Sequence, residues 1–429
     1  MAAEMKSILD NVIEKISVPL AEKLLMDREI LSFEKNIRPQ LKKHQAKLFI
    51  GGSLAKQTLI KRDHAYDIDI FVLFPYKLKD KALSDILESS LKKSKIHFIK
   101  LHGSRDYFQV RFKNLVLELI PILEIKAASQ ALNITDISPL HVSYILQKIK
   151  KNKKINDEIK LAKAFCYAAD CYGAESYIRG FSGYSLEVLV SHYGSFINFI
   201  KQAARWNTKD KIIIDPKKYY KDKKKILQEI NISKQISPLI LIDPVQKERN
   251  VSAALSHETL NKFIIISKQF LSHPSEKFFF KEHIDINKLR NEAKKSKSNL
   301  IIIKVKSSKA KIDVAGAKLK KFYEFLEFLM KKNDFKMLKG IFDLNEKTLD
   351  ATFYFILKEP DKEYIVQGPP LSVDKKYQDA FKKKWPKAFV KNKRLFAKAK
   401  RDVVDFKHLI DSIQKSQIKE MGINSIIYK

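Results

Sequence analysis

Cysteine is almost missing from this sequence: two residues in 429, Cys166 and Cys171, with no cluster of His or Cys around them. They lie on different faces of a helical pattern, which leaves no basis for a disulfide framework or a zinc site and fits a reducing compartment. Glycine is scarce too, at 11 residues, so any adjacent pair of glycines asks for a reason. Long apolar runs are absent. None approaches the length that spans a bilayer, and the opening MAAEMKSILDNVIEK carries acids in place of a secretory apolar segment. The expectation is a soluble, cytoplasmic protein with no membrane partner. The last shortage is of negative charge. Asp and Glu number 49 against 83 Lys and Arg, a formal net charge of +34. A composition rich in Lys, Ile and Asn accounts for part of the lysine but not for the acids falling so far behind. Such an excess repels itself unless a polyanion is the working partner, so a nucleic acid is expected.

What is present reads as several domains, because a chain of this length with 45% hydrophobic residues buries more than one core. Two amphipathic helices parted near Pro19 are predicted over 1–45, then a strand at KLFI (47–50), a glycine turn and a strand over 67–74. A helix over 84–94 and strands at IHFIKL, YFQVRF and LVLELIPIL follow, since β-branched and aromatic residues dominate these short runs. From about 137 to 270 the period turns helical, interrupted at 217–225 by KKYYKDKKK, which reads as an exposed loop or insertion. NLIIIKVKS (299–307) opens a second strand-containing region, with helix, strand and strand after it. From 371 the pattern reads as lysine-rich helix. There Tyr377, Phe381, Trp385 and Phe389 recur every four residues, which predicts a core stripe, with Pro386 dividing two short helices and the lysines forming a cationic face suited to an RNA backbone. The class expected is multidomain α+β, with an α+β module over 1–135, a helical region over 136–270, and an α+β region with a helical basic tail over 271–429.

The stretch GGSLAKQTLIKRDHAYDIDIFVLF (51–74) carries the chemistry. Strand side chains alternate, so Asp67 and Asp69 share one face while Ile68 and Ile70 take the other. Two like charges this close repel, and each is costly to bury unpaired. A divalent cation answers both problems, and Mg²⁺ favours hard oxygen donors shared with substrate phosphates. A third carboxylate is wanted on a neighbouring strand. Glu118 supplies it, as the one charge within NLVLELIPIL (114–123). Gly51 and Gly52 let backbone approach a ligand closely, Ser53 adds a hydroxyl, and Lys56 lies within reach of a phosphate. Asp-x-Asp alone better suits a hairpin with a solvated Asp pair and an edge-strand Glu; glycine turn, spacing and third carboxylate together point to catalysis.

Gly-Ser, then [Asp/Glu]-h-Asp-h, then h-[Asp/Glu]-h, with h apolar, resembles the pattern of the polymerase-β-like nucleotidyltransferase superfamily. YGAESYIRGFSGYSLEVLVSHYGSFINFIKQAARW (172–206) and IDPVQKERNVSAALS (242–256) are similar to the archaeal-type (class I) CCA-adding tRNA nucleotidyltransferases, and QGPP (367–370) resembles a Gly-Pro element of that family. The resemblance is specific through about residue 270 and weak beyond it. It implies a polymerase-β-like catalytic domain over 1–135 with a mixed sheet, a nucleotide-covering helical domain over 136–270, and a tRNA-binding region over 271–429. The activity it implies is template-free addition of C, C and A to the 3′ end of tRNA from CTP and ATP, with two Mg²⁺ ions and release of pyrophosphate.

Residue by residue, the resemblance makes Asp67, Asp69 and Glu118 the metal ligands, although the family often has Glu at the first position and usually Asp at the third. Gly52, Ser53 and Lys56 would meet the triphosphate, Lys56 standing where Arg is common. Ser138 and His141 match a segment near the nucleotide, Lys163 and Tyr172 match residues that hold ribose and triphosphate, and Arg249 matches the arginine that selects C and A. Taken as residues alone, His141 could be a neighbour of a helix cap, Tyr172 a core residue, and Arg249 part of a charged turn. The resemblance leaves a homodimer open. Its rivals are a poly(A)-polymerase-type terminal transferase and a catalytically inactive RNA-binding protein on the same scaffold.

Overall fold

A computed structural model describes residues 2–61, 66–103, 105–113, 115–309, 311–346 and 348–428. The chain divides into two compact units, Met1–Glu282 and His283–Lys429.

In the first unit, α1 (Ala2–Ile16) and α2 (Leu20–Lys42) part at Pro19, whose fixed φ suits a helix start. A five-stranded sheet follows in the order β1-β2-β5-β4-β3. Its strands are β1 (Lys47–Ile50), β2 (Tyr66–Phe74), β3 (Ile99–Leu101), β4 (Tyr107–Phe112) and β5 (Leu115–Leu123), with the short helix α3 (Gly52–Ala55) after β1 and α4 (Leu83–Lys93) after β2. IHFIKL thus forms strand only in its last three residues. β2 and β5 pair parallel and the other neighbours antiparallel. One sheet face is apolar: Ile68, Ile70, Phe108, Val110, Leu117 and Leu119 form one core with Met26, Ile30 and Phe33 of α2 and Leu83, Leu87 and Leu91 of α4. The opposite face is mixed, with Asp67, Asp69, Gln109 and Glu118 beside apolar side chains such as Phe71 and Ile120.

Helices α5 (Ser138–Lys151), α6 (Ile155–Ala168), α7 (Gly183–Tyr193) and α8 (Phe196–Ala203) come next. Gly194, at φ +82°, ends α7 in the left-handed conformation that glycine adopts without strain. Strands β6 (Ile212–Ile214) and β7 (Leu239–Leu241) form a small parallel pair flanking α9 (Lys223–Glu229). The lysine-rich run 217–225 is therefore partly helical, and its Tyr219 and Tyr220 hydroxyls donate to the backbone carbonyls of Pro244 (2.6 Å) and Lys247 (3.0 Å). With α10 (His257–Ser272) the helices close on an aromatic core built of Phe165, Phe181, Phe196, Phe199, Phe263 and Phe270.

The second unit starts with α11 (Ile286–Lys295) and has an antiparallel sheet in the order β14-β8-β10-β9. It comprises β8 (Asn299–Ser307), β9 (Lys336–Asn345), β10 (Asp350–Lys358) and the terminal β14 (Ile423–Tyr428), and α12 (Ile312–Lys332) packs Leu319, Phe322 and Leu326 into its core. A second sheet joins β11 (Glu363–Pro370), β13 (Arg394–Lys400) and β12 (Phe389–Lys391), with α13 (Lys375–Lys384) between β11 and β12. Helices α14 (Phe406–Asp411) and α15 (Lys415–Glu420) precede β14.

This corrects the helical reading of the tail. Between α13 and α14 the chain forms a β-hairpin, β12–β13, turned at Asn392 and Lys393, both at positive φ (47° and 57°), the signature of a two-residue primed turn. Leu395, Ala397 and Ala399 alternate with exposed or half-buried neighbours, a period of two that the lysines obscure. The aromatic recurrence is not a core stripe either. Helix α13 buries no residue, Tyr377 is 62% exposed and Phe389 37%. Among the described residues no helix is long and apolar enough to cross a membrane.

Candidate active site

The second face of the first sheet holds the carboxylates. On β2, Asp67 is exposed and Asp69 half-buried, while Ile68 and Ile70 between them are fully buried on the other side. The parallel register sets Asp69 level with Glu118 of β5, also half-buried, and Gln109 of β4 level with Glu118 on the far side. All three predicted carboxylates thus lie on one face of two adjacent strands. Burial pushes the Asp69 carboxyl above its usual range; Lys56 pulls it back, and the charge of Asp67 adds to the rise.

The glycine turn is built against this face. Gly51 donates its N–H to the Asp69 carbonyl (2.9 Å), and any Cβ there would run into the Phe71 ring. Gly52 sits at φ +58°, and a Cβ on it would overlap the Asp69 carboxylate. Only glycine lets α3 start this close to the acid. Ser53 is in α3, and its carbonyl accepts from the Thr58 N–H (2.9 Å).

Lys56 and Lys163, 107 positions apart in sequence, meet on a residue the sequence reading missed. Lys56 Nζ donates to Glu187 Oε2 (2.6 Å), and Lys163 Nζ donates to Glu187 Oε1 (2.9 Å) and to Thr58 Oγ1 (2.8 Å). All three charged side chains are buried. Burial alone would raise the Glu187 carboxyl, but the ammoniums of Lys163 and Lys56 outweigh it and hold it below the usual carboxylate range. The charges of Lys56, Lys163 and Glu187 all act on Asp69, so this network and the carboxylate face form one electrostatic site. Tyr172 and Lys163 both flank Gly183, the first residue of α7, four before Glu187.

His141 and Arg249 meet on a second missed carboxylate. Asp243, two residues past β7 and fully buried, accepts at Oδ2 from His141 Nε2 (2.9 Å) and Arg249 Nη1 (2.7 Å). An ionised carboxylate only accepts, so His141 carries its proton on Nε2. At Oδ1 it accepts from the Tyr184 hydroxyl (3.2 Å) and the Val245 N–H (2.8 Å). Burial pushes the Asp243 carboxyl up, but the hydrogen bond from His141 and the Arg249 charge bring it below its usual value. The His141 and Tyr184 rings stack at 4.1 Å. Helix α7 therefore sends Tyr184 to one network and Glu187, three residues on, to the other. Ser138 begins α5 one turn before His141 and enters neither network among the described contacts.

A legible signal marked both missed acids. Each is the sole acid within an apolar run, Glu187 in GYSLEVLV and Asp243 in LILIDPV, as Glu118 is in its strand.

The donor set fits Mg²⁺: three hard carboxylates on one face, one of them pushed toward its neutral form by burial and like charge. Among the described residues no three His, Cys, Asp or Glu side chains by themselves converge to hold an ion. Mg²⁺ ordinarily takes one or two protein carboxylates and completes its shell with water and substrate phosphate.

A family profile described as "tRNA nucleotidyltransferase, second domain" matches residues 157–280. The chain is 36% identical to the CCA-adding enzyme of Nanoarchaeum equitans over 303 residues, covering 71% of this chain and 72% of that one. It is 30% identical to the CCA-adding enzyme of Methanocaldococcus jannaschii over 368 residues, covering 84% and 78%. Among solved structures, a cytoplasmic RNA terminal U-transferase matches with a TM-score of 0.50 at 15% identity, over 66% of this chain and 99% of that one. A structure of the Cid1 poly(U) polymerase bound to MgATP matches with a TM-score of 0.51 at 14% identity, over 65% and 99%. These two likenesses are of fold alone.

Proposed function

The chain belongs to the CCA-adding enzymes, the tRNA nucleotidyltransferases that build the C-C-A end, and from that premise we propose how its residues divide the work. Asp67, Asp69 and Glu118 would hold Mg²⁺, in two positions shared with the incoming CTP or ATP. When bound, Mg²⁺ supplies the positive charge that lets carboxylates and triphosphate share one site and stabilises charge on the attacking and leaving oxygens. The observation that carries the assignment is the register: Asp69 level with Glu118, Asp67 on the same face, and a glycine turn so close that a Cβ on Gly52 would overlap the Asp69 carboxylate.

In the reaction the terminal 3′-oxygen of tRNA bonds to the α-phosphorus, the bond to the β-phosphate oxygen breaks, pyrophosphate leaves, and the hydroxyl proton passes to solvent. The chain's part is placement and charge. Gly52 and Ser53 line the triphosphate, with Lys56 and Lys163 supplying buried positive charge beside it. Tyr172, next to Lys163, faces the ribose; Ser138 and His141 border the base, and Arg249 reads it. A guanidinium offers donors in a fixed fork, which suits acceptors on cytosine and, in a shifted pose, adenine.

On this reading residues 1–135 are the catalytic domain, 136–270 the nucleotide-covering domain, and 271–429 the part that grips tRNA through its lysine-rich surface. Both cysteines are buried and free, in keeping with a cytoplasmic setting. The test offers tRNA ending before the CCA, and tRNA ending in CC, each single NTP with Mg²⁺. CTP should extend the first and ATP the second by one residue. Long A tails on either primer would move the enzyme to the poly(A)-polymerase type.

A further inference from the structure

Arg249 stands with one edge fixed and the other open. Its Nη1 is on Asp243, and its side chain is 31% exposed while that of Asp243 is fully buried and that of His141 12% exposed. Asp243 and Arg249 are also joined through the backbone, Asp243 N–H donating to the Arg249 carbonyl (3.0 Å), so the carboxylate and the guanidinium share a short closed loop. The carboxylate itself is held from four directions. His141 arrives from α5, Tyr184 from α7, and Val245 and Arg249 from the loop after β7.

Base selection needs this fixity. A mobile guanidinium finds acceptors on any of the four bases; one held still rejects those whose acceptors lie elsewhere, because a mismatched base leaves buried polar groups unpaired. We infer that Asp243, seated on Tyr184 and Val245, is the positioning residue that sets nucleotide selection by fixing Arg249 and His141. The inference rests on the reading of Arg249 as the group that meets the base. Asp243 itself touches neither base nor phosphate.

Asparagine at this position has the right shape and the wrong donors. With its oxygen toward Arg249 and His141, its amino group faces the Val245 N–H; turned over, it faces the Arg249 Nη1 donor. The first orientation sets donor against donor at Val245, the second leaves Arg249 Nη1 with no acceptor, and both remove the negative charge that holds the guanidinium, so Arg249 is held less firmly.

The experiment measures single-nucleotide incorporation of CTP, UTP, ATP and GTP onto both primers for the parent, Asp243→Asn, Tyr184→Phe, Arg249→Ala and Asp243→Asn/Arg249→Ala, with melting temperatures alongside. For Asp243→Asn we expect the CTP:UTP and ATP:GTP preferences in kcat/KM to fall about tenfold or more. Tyr184→Phe, which keeps the ring stack and removes one donor to Oδ1, should lower them roughly threefold. In the Arg249→Ala background, Asp243→Asn should change the preferences no further. A loss of activity shared evenly by all four nucleotides, in Asp243→Asn or in Tyr184→Phe should Asp243→Asn not fold, would overturn the inference. If Arg249→Ala keeps the parent's preferences, the reading of Arg249 fails first; if it relaxes them and Asp243→Asn does not, the inference about Asp243 fails alone.

Discussion

Replacing Glu187 with leucine would leave Lys56 and Lys163 buried together with no carboxylate between them. Both ammoniums now rest on that one side chain, at 2.6 and 2.9 Å, and Glu187 is 1% exposed. Removing one member of a buried ion pair costs about 3–5 kcal/mol, because the remaining charge keeps its desolvation penalty and loses its compensation. Against a total stability of about 5–15 kcal/mol this is a large loss, and for a unit of this size it corresponds to a fall in melting temperature on the order of 10 °C. Glu187→Gln keeps the shape and should lose somewhat less. Lys163→Met in the same chain removes one orphaned charge and should recover part of the stability without recovering activity. The pH dependence has a definite sign. The folded-state pKa of Glu187 lies below its usual 4.5, so its contribution is complete above that value and fades as pH falls through the lower folded value. The gap between parent and Glu187→Leu should be constant from about pH 6 to 8 and narrow below about pH 4. Thermal melts of both proteins across that range decide it. A melting temperature within a degree or two of the parent, or a gap that widens in acid, would refute the reasoning.

The remaining predictions concern the carboxylate face. Gly52→Ala should cost about 1–2 kcal/mol for the left-handed backbone alone and more for the overlap with Asp69, and it should depress nucleotide incorporation more than it lowers the melting temperature. Incorporation that tracks stability alone would separate the turn from the site. Glu118→Gln should cut the incorporation rate severely while Glu118→Asp keeps much of it; a Gln variant as active as the parent would send the third ligand elsewhere, with Glu124 the next residue to replace.

The parts of this site that were readable from sequence were those set by local period. Asp67 and Asp69 share a face because a strand alternates, and Gly51–Gly52 stand out in a glycine-poor chain. Glu118 is conspicuous because an apolar strand has no other use for a charge. Glu187 and Asp243 carried the same mark but lay within 137–270, a region read from its period simply as helical. What each binds depends on residues more than a hundred positions away, Lys56 for Glu187 and His141 for Asp243. The tail misled for a different reason. Tyr377, Phe381, Trp385 and Phe389 recur at helical spacing, yet only the first two lie in α13, which stops at Lys384 and buries nothing, while Phe389 is in β12. Alternation in RLFAKAK was the truer signal, with Asn392 and Lys393 supplying the turn.

The central claim is that the two aspartates of β2 hold the catalytic metal and do not build the RNA-binding surface. It is tested by preparing Asp67→Ala and Asp69→Ala and measuring, on the same samples, Mg²⁺-dependent incorporation of CTP onto tRNA lacking its CCA and equilibrium binding of that tRNA. The account predicts that each variant loses incorporation by several orders of magnitude while its tRNA affinity stays within about threefold of the parent. Substantial incorporation by either variant, or a loss of tRNA binding as large as the loss of activity, would contradict it.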